Sequence, residues 1–555
     1  MPGVPALLKK DWRITLNLRR IIREQSTFKV WFILLFAAFM VLGLERMFFE
    51  GFYFLDSLGG IGLMLVSRLF GLLFLGLSLM LAVSSIVTSF TTFFRAEETS
   101  FLLLKPLSVG QITIYKFIQS SFYSSWAFFF TIIPFVFAYG WHQHLTLLFS
   151  VWTIVFSIPL VLLCTGVGSI LCLLWARFLP RGRVLVIVIG LIVVAGWIWF
   201  SKFVAVRQNV QDDTIVLVNT LVPGMRVASN PLWPSWWVAE GIMALSHGQW
   251  SRGLLLLGLL VSNVLVIGVL VEITGRACFY EAWQRTRYAG RTTRRTRVLF
   301  GPLERLIGFV PADIRALMMK DIRTFCRDPE QWIQGLIFFG LLALYFFNLR
   351  NLNYHLLPAE WRNLITFLNI FSVSAVLCSL GSRFVFPQLS LEGHGFWIVG
   401  LSPTTMARVL VAKFSLALVS MGIVSTVLMY LSTKMLLVPA DVRAVVFGVA
   451  AAISLGIAGL STGLGAIFLD LKQQNPAAIV SGFGGTLNLV LSLVFMFAAI
   501  VPFGMVFHLH YAGHITELEF HRGIAVASGW LVLVTLLSTT VPLMLGARSL
   551  RLREY

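Results

Sequence analysis

Long runs of apolar residues, separated by shorter stretches that carry most of the charges, recur along the whole chain. A helix needs about 20 mostly apolar residues to cross a bilayer core about 30 Å thick. About twelve runs approach that length, so the pattern predicts an all-α polytopic membrane protein with about twelve transmembrane helices. In chain order, the predicted spans are 30–44, 70–94, 117–139, 145–175, 184–203, 253–274, 333–348, 364–386, 414–431, 444–469, 478–501 and 523–545.

Lysine and arginine between the spans indicate how the chain is oriented. Cytoplasmic segments of membrane proteins carry an excess of these two residues. When both termini and alternate loops are counted as inside, most of the 43 Lys and Arg residues fall on that side. The pattern therefore predicts a multi-pass membrane protein with both termini in the cytoplasm.

The net charge of +19 would suggest nucleic-acid binding in a soluble protein. Here, many of the basic residues lie between two predicted spans, in the stretch 276–327. No aromatic or base-reading pattern accompanies them, so no nucleic-acid partner is expected. A stretch that sets orientation and faces anionic lipid headgroups is the favoured interpretation, with the lipid bilayer as its partner.

Two motifs recur at one spacing and indicate an internal repeat. The Lys-Phe pair at 116–117 returns at 413–414, and the Thr-Gly-x-Gly motif at 165–168 returns at 462–465; both pairs lie 297 residues apart. Six predicted spans separate the copies, and an even number of spans gives both copies the same orientation. The sequence thus predicts two parallel six-helix repeats.

A third, weaker echo places a short amphipathic stretch before each half. The stretch 7–23 contains Lys-Asp-Trp-Arg at 10–13, and the stretch 306–324 contains Lys-Asp-Ile-Arg at 320–323. Apolar residues among basic ones favour a helix in the membrane interface, although a soluble cytoplasmic tail is the open alternative for 7–23. The predicted organisation is a first half with its interfacial helix and six spans, a basic linker with the second interfacial helix, and a second half of six spans, at residues 1–275, 276–332 and 333–555.

A loop follows the second span of each half, and the two loops are similar. Residues 95–106 and 391–403 each contain an acid, an aromatic residue, aliphatic residues and a proline in the same order. A short helix with an acid at its positive end, closed before proline, would present apolar side chains to a soluble partner. Insertion of these side chains into the headgroup layer is the alternative. The candidate docking residues are Glu97, Glu98, Phe101, Pro106, Glu392, Phe396, Trp397 and Pro403.

The order of these features resembles the permease subunits of ABC exporters, in particular the type-2 export permease class. The segments 328–332, 392–403 and 463–485 are similar to an exporter branch in which two permease halves are fused, and the resemblance covers essentially the whole chain. It implies that the two loops are coupling helices that contact two copies of a separate ATPase, while this chain forms the translocation pathway. The first loop has a Glu97-Glu98 pair where the second has one glutamate, so the equivalence of the two docking sites is open.

The composition and one absent motif limit what this chain does itself. It is 58% hydrophobic and 12% charged, against about 25% charged residues in soluble domains, which excludes a soluble enzyme. The sequence contains no G-x-x-x-x-G-K-S/T loop, whose backbone N–H groups would cradle phosphate. ATP hydrolysis is therefore expected in a separate subunit, and no catalytic residue or cofactor is assigned to this chain.

Small residues in the repeated motif predict close helix contacts. Gly166, Gly168, Gly463 and Gly465 are the candidate helix-packing residues. The outer segment containing His508, His510 and His514 has potential zinc or copper ligands, but the spacing fits no strong metal motif, so no metal site is assigned.

Two other classes of function stay open at this point. A twelve-span secondary transporter driven by an ion gradient would need ionisable groups near the middle of the bilayer. Charged residues in or beside the spans are sparse, and Arg68, Glu272, Arg383 and Asp470 all fall near span ends. A polytopic membrane enzyme would need a catalytic cluster at one membrane face. The largely uncharged spans mildly favour an amphipathic or lipid-like substrate.

Overall fold

The computed structural model of the chain describes the greater part of both halves. Two predicted spans, 184–203 and 333–348, lie outside the described residues. The described residues are 3–16, 27–57, 60–145, 147–178, 230–246, 248–288, 304–305, 307–327, 359–435, 438, 440–473, 479–480, 482–511 and 513–552.

The chain divides into two compact units, Met1–Arg294 and Arg295–Tyr555. The first unit contains eight described α-helices. They are α1 Gly3–Leu16, α2 Thr27–Ser57, α3 Gly60–Phe90, α4 Glu97–Leu103, α5 Val109–His142, α6 Leu147–Phe178, α7 Pro234–Ser246 and α8 Trp250–Tyr288.

The second unit contains seven described α-helices, and no strand occurs in the described part of either unit. The helices are α9 Ala312–Arg327, α10 Ala359–Leu380, α11 Phe396–Gly400, α12 Met406–Met435, α13 Ala440–Ile467, α14 Phe483–Tyr511 and α15 Glu517–Arg551.

Nine of the described helices are long and apolar enough to cross a membrane, and they coincide with nine of the predicted spans. The predicted span 30–44 lies within α2. Helix α8 runs without a break through residue 275, which is the predicted end of the first half. The prediction of an all-α polytopic membrane protein is confirmed. The nine candidate spans are Leu69–Phe94, Val109–His142, Leu148–Arg177, Trp250–Thr286, Thr366–Gly393, Met406–Lys434, Val442–Ile467, Phe483–Tyr511 and Glu517–Arg551.

The core of the first unit is rich in phenylalanine. Phe70 of α3 and Phe135 of α5 are buried and meet edge to face, with ring centroids 4.8 Å apart. Phe156 of α6 is fully buried and lies close against Gly241 of α7. The four helices are apolar on several sides, as expected for helices that present no polar face to water. Aromatic rings at these positions fill the space between them.

The core of the second unit is built around α13. Ile453 and Ile457 of α13 are fully buried, and Phe495 of α14 packs against Gly456. Thr539 of α15 packs against Gly459, which is also on α13. Helix α13 therefore contacts both α14 and α15 through positions where small residues allow close approach.

Local signals on the polar loops explain where the long helices begin. Helix α5 starts with a capping box: Gln111 N–H donates to Ser108 Oγ at 3.3 Å, and the Gln111 side chain accepts from Ser108 N–H at 3.1 Å. Helix α15 starts in the same way with Thr516 and Glu519. These reciprocal bonds satisfy N–H groups that have no partner within the helix.

Candidate docking loops and their ion clusters

The first loop leaves the bundle through a change of helix type. A π-turn, Thr91–Arg95, extends α3, and the short helix α4 follows it at once. Phe101 and Leu104 are 57% and 85% exposed, whereas Leu102 is buried in the unit. The loop therefore presents apolar side chains outward and is held to the bundle by its other face.

The remaining predicted residues of this loop fall on both sides of α4. Pro106 is exposed and follows the end of the helix. Glu97 begins the helix, and its side chain lies outside the described part of the structure. Lys105 Nζ lies 4.5 Å from the centre of the Phe101 ring. A cation stacked on this ring adds positive charge to the outward face.

Glu98 is the centre of an ion cluster that joins three helices of the first unit. Lys116 Nζ of α5 donates to Glu98 Oε2 at 2.9 Å, and Lys10 of α1 also forms an ion pair with Glu98. Tyr115 OH donates to Asp11 Oδ2 at 2.9 Å. We call Lys10, Asp11, Glu98, Tyr115 and Lys116 the first cluster.

Burial and bonding act on Glu98 in opposite directions. Partial burial raises its pKa, but the hydrogen bonds from Lys10 and Lys116 outweigh this effect and lower the pKa from 4.5 to about 2. The same contact with Glu98 raises the pKa of Lys10 despite its partial burial. The first cluster contains two cations and two carboxylates, so its formal charges balance when all four are ionised.

The second loop has a different backbone but a similar outward face. It leaves α10 through the π-turn Gly381–Val385, and a 3-10 segment Ser390–Gly395 then leads into α11. Gly393 has a φ of +57°, a conformation that L side chains rarely adopt. This turn lies immediately before α11.

The two aromatic residues predicted for docking in this loop have opposite environments. Phe396 is 1% exposed and belongs to the core beneath α11, while Trp397 is 55% exposed. Ile398 and Leu401 are also exposed, as is Pro403. Trp397, rather than Phe396, thus corresponds in exposure to Phe101 of the first loop.

The second loop is tied to its unit by a matching cluster. Lys413 Nζ of α12 lies 2.9 Å from Asp321 Oδ1 of α9 and 2.6 Å from Glu392 Oε1. Lys320 Nζ donates to both oxygens of Glu392, at 2.5 and 2.6 Å. We call Lys320, Asp321, Glu392 and Lys413 the second cluster.

Both clusters combine the same parts. Each takes a Lys-Asp pair from the amphipathic helix, a glutamate from the loop and a lysine from the first turns of the next long helix. Lys116 and Lys413 are almost fully buried. Sequence reasoning used the two Lys-Phe pairs and the Lys-Asp pairs only as markers of the repeat. A lysine near the start of a long apolar helix, at the same place in both halves, is the signal that was available for a buried ion pair.

The two clusters differ in how deeply they are buried and in one residue. Tyr115 of the first cluster binds Asp11, whereas the position before Lys413 is Ala412. Lys413 therefore binds Asp321 directly, and the side chain of Asp321 is 10% exposed, against 33% for Asp11. The second cluster is the more buried of the two.

The four predicted helix-packing glycines all lie at close contacts. A Cβ at Gly168 would overlap the side chain of Ser85 and lie 2.7 Å from the carbonyl oxygen of Ala82 on α3. A Cβ at Gly463 would overlap the backbone of Pro542 on α15. Gly166 meets Ile267 of α8, and Gly465 meets the carbonyl oxygen of Phe386. A side chain at any of these positions would push two elements apart.

The histidines of the outer segment do not form a metal centre among the described residues, where no group of three or more His, Cys, Asp or Glu side chains is placed to hold a metal ion. His510 instead stacks on Phe520, with ring centroids 4.0 Å apart, and its Nε2 lies 3.8 Å from Glu517 Oε1.

The membrane-length helices and the two anchored loops define the class of the molecule, an all-α polytopic membrane protein. A family model described as "Putative ATP-binding cassette" matches residues 22–555, so the chain belongs to this ABC-type family. The description names the ATP-binding cassette and not a permease, but the family and the membrane-length helices together fit an ABC-type transporter. No curated protein and no solved structure matches the chain.

Proposed function

We propose that the chain is the membrane-spanning subunit of an ABC exporter, that it forms the translocation pathway, and that it couples to two copies of a separate ATPase. The observation that carries the proposal is the construction of the two loops. Each presents exposed apolar side chains on a short helix while a buried ion cluster fixes the base of that helix to its unit.

The exposed side chains have the chemistry of a docking site. Phe101 and Leu104 in the first loop, and Trp397 and Leu401 in the second, are exposed on segments that join candidate spans. Aromatic residues that fill a pocket on a partner supply much of the binding energy at protein interfaces. Two such loops in one chain fit two copies of one partner, since each copy needs a similar docking surface.

The ion clusters would transmit movement from each docking loop to the helices of its unit. A displacement of α4 pulls on Glu98, which is bonded to α1 and to α5 through Lys10 and Lys116. In the second unit, a displacement of the loop acts through Glu392 on α9 and on α12. Each docked ATPase would therefore move an amphipathic helix and a long membrane helix together, which is the kind of linked element that a two-state transporter requires.

We propose that ATP hydrolysis, the source of energy, takes place in another polypeptide. The sequence has no phosphate-binding loop of the G-x-x-x-x-G-K-S/T type, and this loop follows a strand in proteins that use it. The described part of the chain contains only helices and their connections. We place the chain in a bacterial inner membrane with both termini and both docking loops in the cytoplasm, the side where ATP is available.

Co-purification tests the proposal directly. The chain is expressed with its genomic neighbours and isolated in mild detergent, and we expect an ATP-binding-cassette ATPase to co-purify. Phe101→Glu with Trp397→Glu should abolish this association while the monodisperse peak and the thermal unfolding midpoint stay unchanged, because both residues are exposed. Trp397 is chosen for this test since a charge at the buried Phe396 would disrupt the fold.

Leu232→Glu is the matched control, since Leu232 is exposed and is part of neither loop, and it should leave association intact. Association that survives the paired variant would contradict the docking role. Transport in proteoliposomes that continues without ATP and stops when the ion gradient is collapsed would instead identify a secondary transporter.

A further inference from the structure

Six buried polar side-chain atoms of the second unit have no hydrogen-bond partner among the described residues, and three of these atoms lie on α13 and α14 next to the end of α10. These three are Ser461 Oγ on α13, and Asn488 Oδ1 and Ser492 Oγ, one turn apart on α14. All three residues are fully buried. Inside a membrane no bulk water reaches such atoms, and an unpaired polar atom there costs several kcal/mol. Buried polar atoms are therefore almost always bonded to something.

The packing of α13 on α14 shows how these two helices run past each other. Gly456 of α13 packs against Phe495 of α14, and Phe468, just beyond the end of α13, lies against Gly484 near the start of α14. Positions later in the first helix thus meet earlier positions in the second. The two helices are antiparallel.

This arrangement brings the three atoms to one level. Both helices advance about 1.5 Å per residue, so five residues beyond Gly456 correspond to five residues before Phe495. Ser461 therefore lies level with the turn between Asn488 and Ser492.

The end of α10 closes the third side of this region. Ser461 Oγ lies only 3.0 Å from the position of a Cβ added at Gly381, and Asn488 Nδ2 donates to Ser382 Oγ at 2.9 Å. Gly381 and Ser382 are the first residues of the π-turn that leads to the second loop.

We propose that Ser461, Asn488 and Ser492 form a buried water site between α10, α13 and α14. Asn488 Oδ1 only accepts hydrogen bonds, while each serine hydroxyl both donates and accepts. The occupant must therefore donate a hydrogen bond, and it must be small because all three side chains are fully buried. Water meets both conditions, and a buried water makes about three hydrogen bonds to such groups.

A water site at this position would let the π-turn move slightly against the neighbouring helices. Hydrogen bonds through water tolerate small displacements of the two groups that they join, at little cost relative to direct bonds. The end of α10 could then shift against α13 and α14 while its polar neighbours stay bonded.

A pair of serine substitutions tests the site in the full chain, reconstituted in nanodiscs. Ser461→Ala with Ser492→Ala removes two groups that bind the water, so we expect a lower thermal unfolding midpoint. The control is Ser454→Ala on α13, whose hydroxyl donates to its own helix at Ala450 O, 2.8 Å away, and which should change the midpoint less. An unchanged or higher midpoint in the double variant would mean a dry region and would overturn the proposal.

A high-resolution cryo-EM map of the unmodified protein gives a second, independent decision. We expect a density peak about 3 Å from at least two of the three polar atoms, and an empty region would refute the site. Midpoints in sodium, potassium and choline buffers identify the occupant. Equal values support water, whereas stabilisation by one cation that disappears in the double variant would show a cation site instead.

Discussion

Lys413 is a buried cation that is balanced by two carboxylates. Its ammonium group contacts Asp321 and Glu392, and its side chain is 2% exposed. Removal of one partner from a buried ion pair leaves an uncompensated charge and costs about 3–5 kcal/mol. We therefore expect Lys413→Met to lower the free energy of unfolding by about that amount, measured by thermal or denaturant unfolding in detergent.

The balance of charge within the second cluster gives this prediction its control. Lys413→Met leaves one cation, Lys320, beside two carboxylates. Addition of Asp321→Asn restores an equal number of charges, so the double variant should recover part of the lost stability. Lys472→Met, at an exposed lysine outside the cluster, should have little effect. If the loss of stability in the double variant equals the sum of the losses in Lys413→Met and Asp321→Asn, charge balance is not what holds the second cluster together.

Glu98 predicts how the stability of the first cluster depends on pH. Its pKa falls from 4.5 to about 2 in the folded protein. A depressed pKa in the native state means that the stabilisation is fully present above the unfolded value and is lost as the pH falls towards the folded value. The difference in unfolding midpoint between the unmodified protein and Glu98→Gln should therefore be constant above about pH 5 and shrink between about pH 4.5 and pH 2.

Thermal unfolding of both proteins at pH 7 and pH 3.5 measures this change. Glu45→Gln serves as the control because Glu45 lies outside both clusters and forms no ion pair among the described residues. A midpoint difference for Glu98→Gln that is the same at both pH values would contradict the assignment of the Glu98 ion pairs.

At the scale of helices, the close packing of α13 on α15 is the feature most open to test. A Cβ at Gly463 would overlap the backbone of Pro542, which cannot rotate away as a side chain could. Overpacking of this kind costs about 1–3 kcal/mol, so Gly463→Ala should destabilise the protein by about that amount in an unfolding measurement.

Gly448 provides a matched control on the same helix. A Cβ there meets nothing within 4 Å, and alanine is favoured over glycine in a helix by about 1 kcal/mol. Gly448→Ala should therefore be neutral or slightly stabilising. Equal effects of the two substitutions would show that helix propensity, and not the contact with α15, determines the result.

The helices were predictable from the sequence because the length of an apolar run is a local property. Nine predicted spans coincide with helices of sufficient length, although helix ends differ by several residues. α5, for example, begins at Val109, eight residues before its predicted span, because the Ser108 capping box and not hydropathy sets its start. Hydropathy measures what lies in the bilayer, whereas helices continue into the polar layer.

The ion clusters were not predictable in the same way. Lys10, Glu98 and Lys116 come from three elements, and their meeting depends on how those elements pack. The sequence did not predict which aromatic residue of the second loop is exposed either. Phe396 and Trp397 are neighbours in a short apolar stretch, and only Phe396 faces the core. Sequence pattern located the loop, but tertiary packing selected its exposed face.

At the scale of the whole chain, each unit has its own loop and its own cluster, which makes the number of bound ATPases a measurable consequence of the proposed function. In the absence of nucleotide, the unmodified chain should bind two ATPase copies. Phe101→Glu alone and Trp397→Glu alone should each leave one bound copy, since each change affects the exposed face of a single unit. Native mass spectrometry of the detergent-solubilised complex counts the copies.

The distribution of single-variant complexes then shows how independent the two units are. If each loop is a complete docking site, both single variants retain one ATPase per chain and lose ATP-dependent transport, because one motor copy cannot complete the pair. If either single variant loses both copies, the two loops act as one composite site, and the picture of one docking site per unit is wrong. Leu232→Glu, at an exposed residue that is part of neither loop, should keep two copies and thereby exclude a general effect of surface charge.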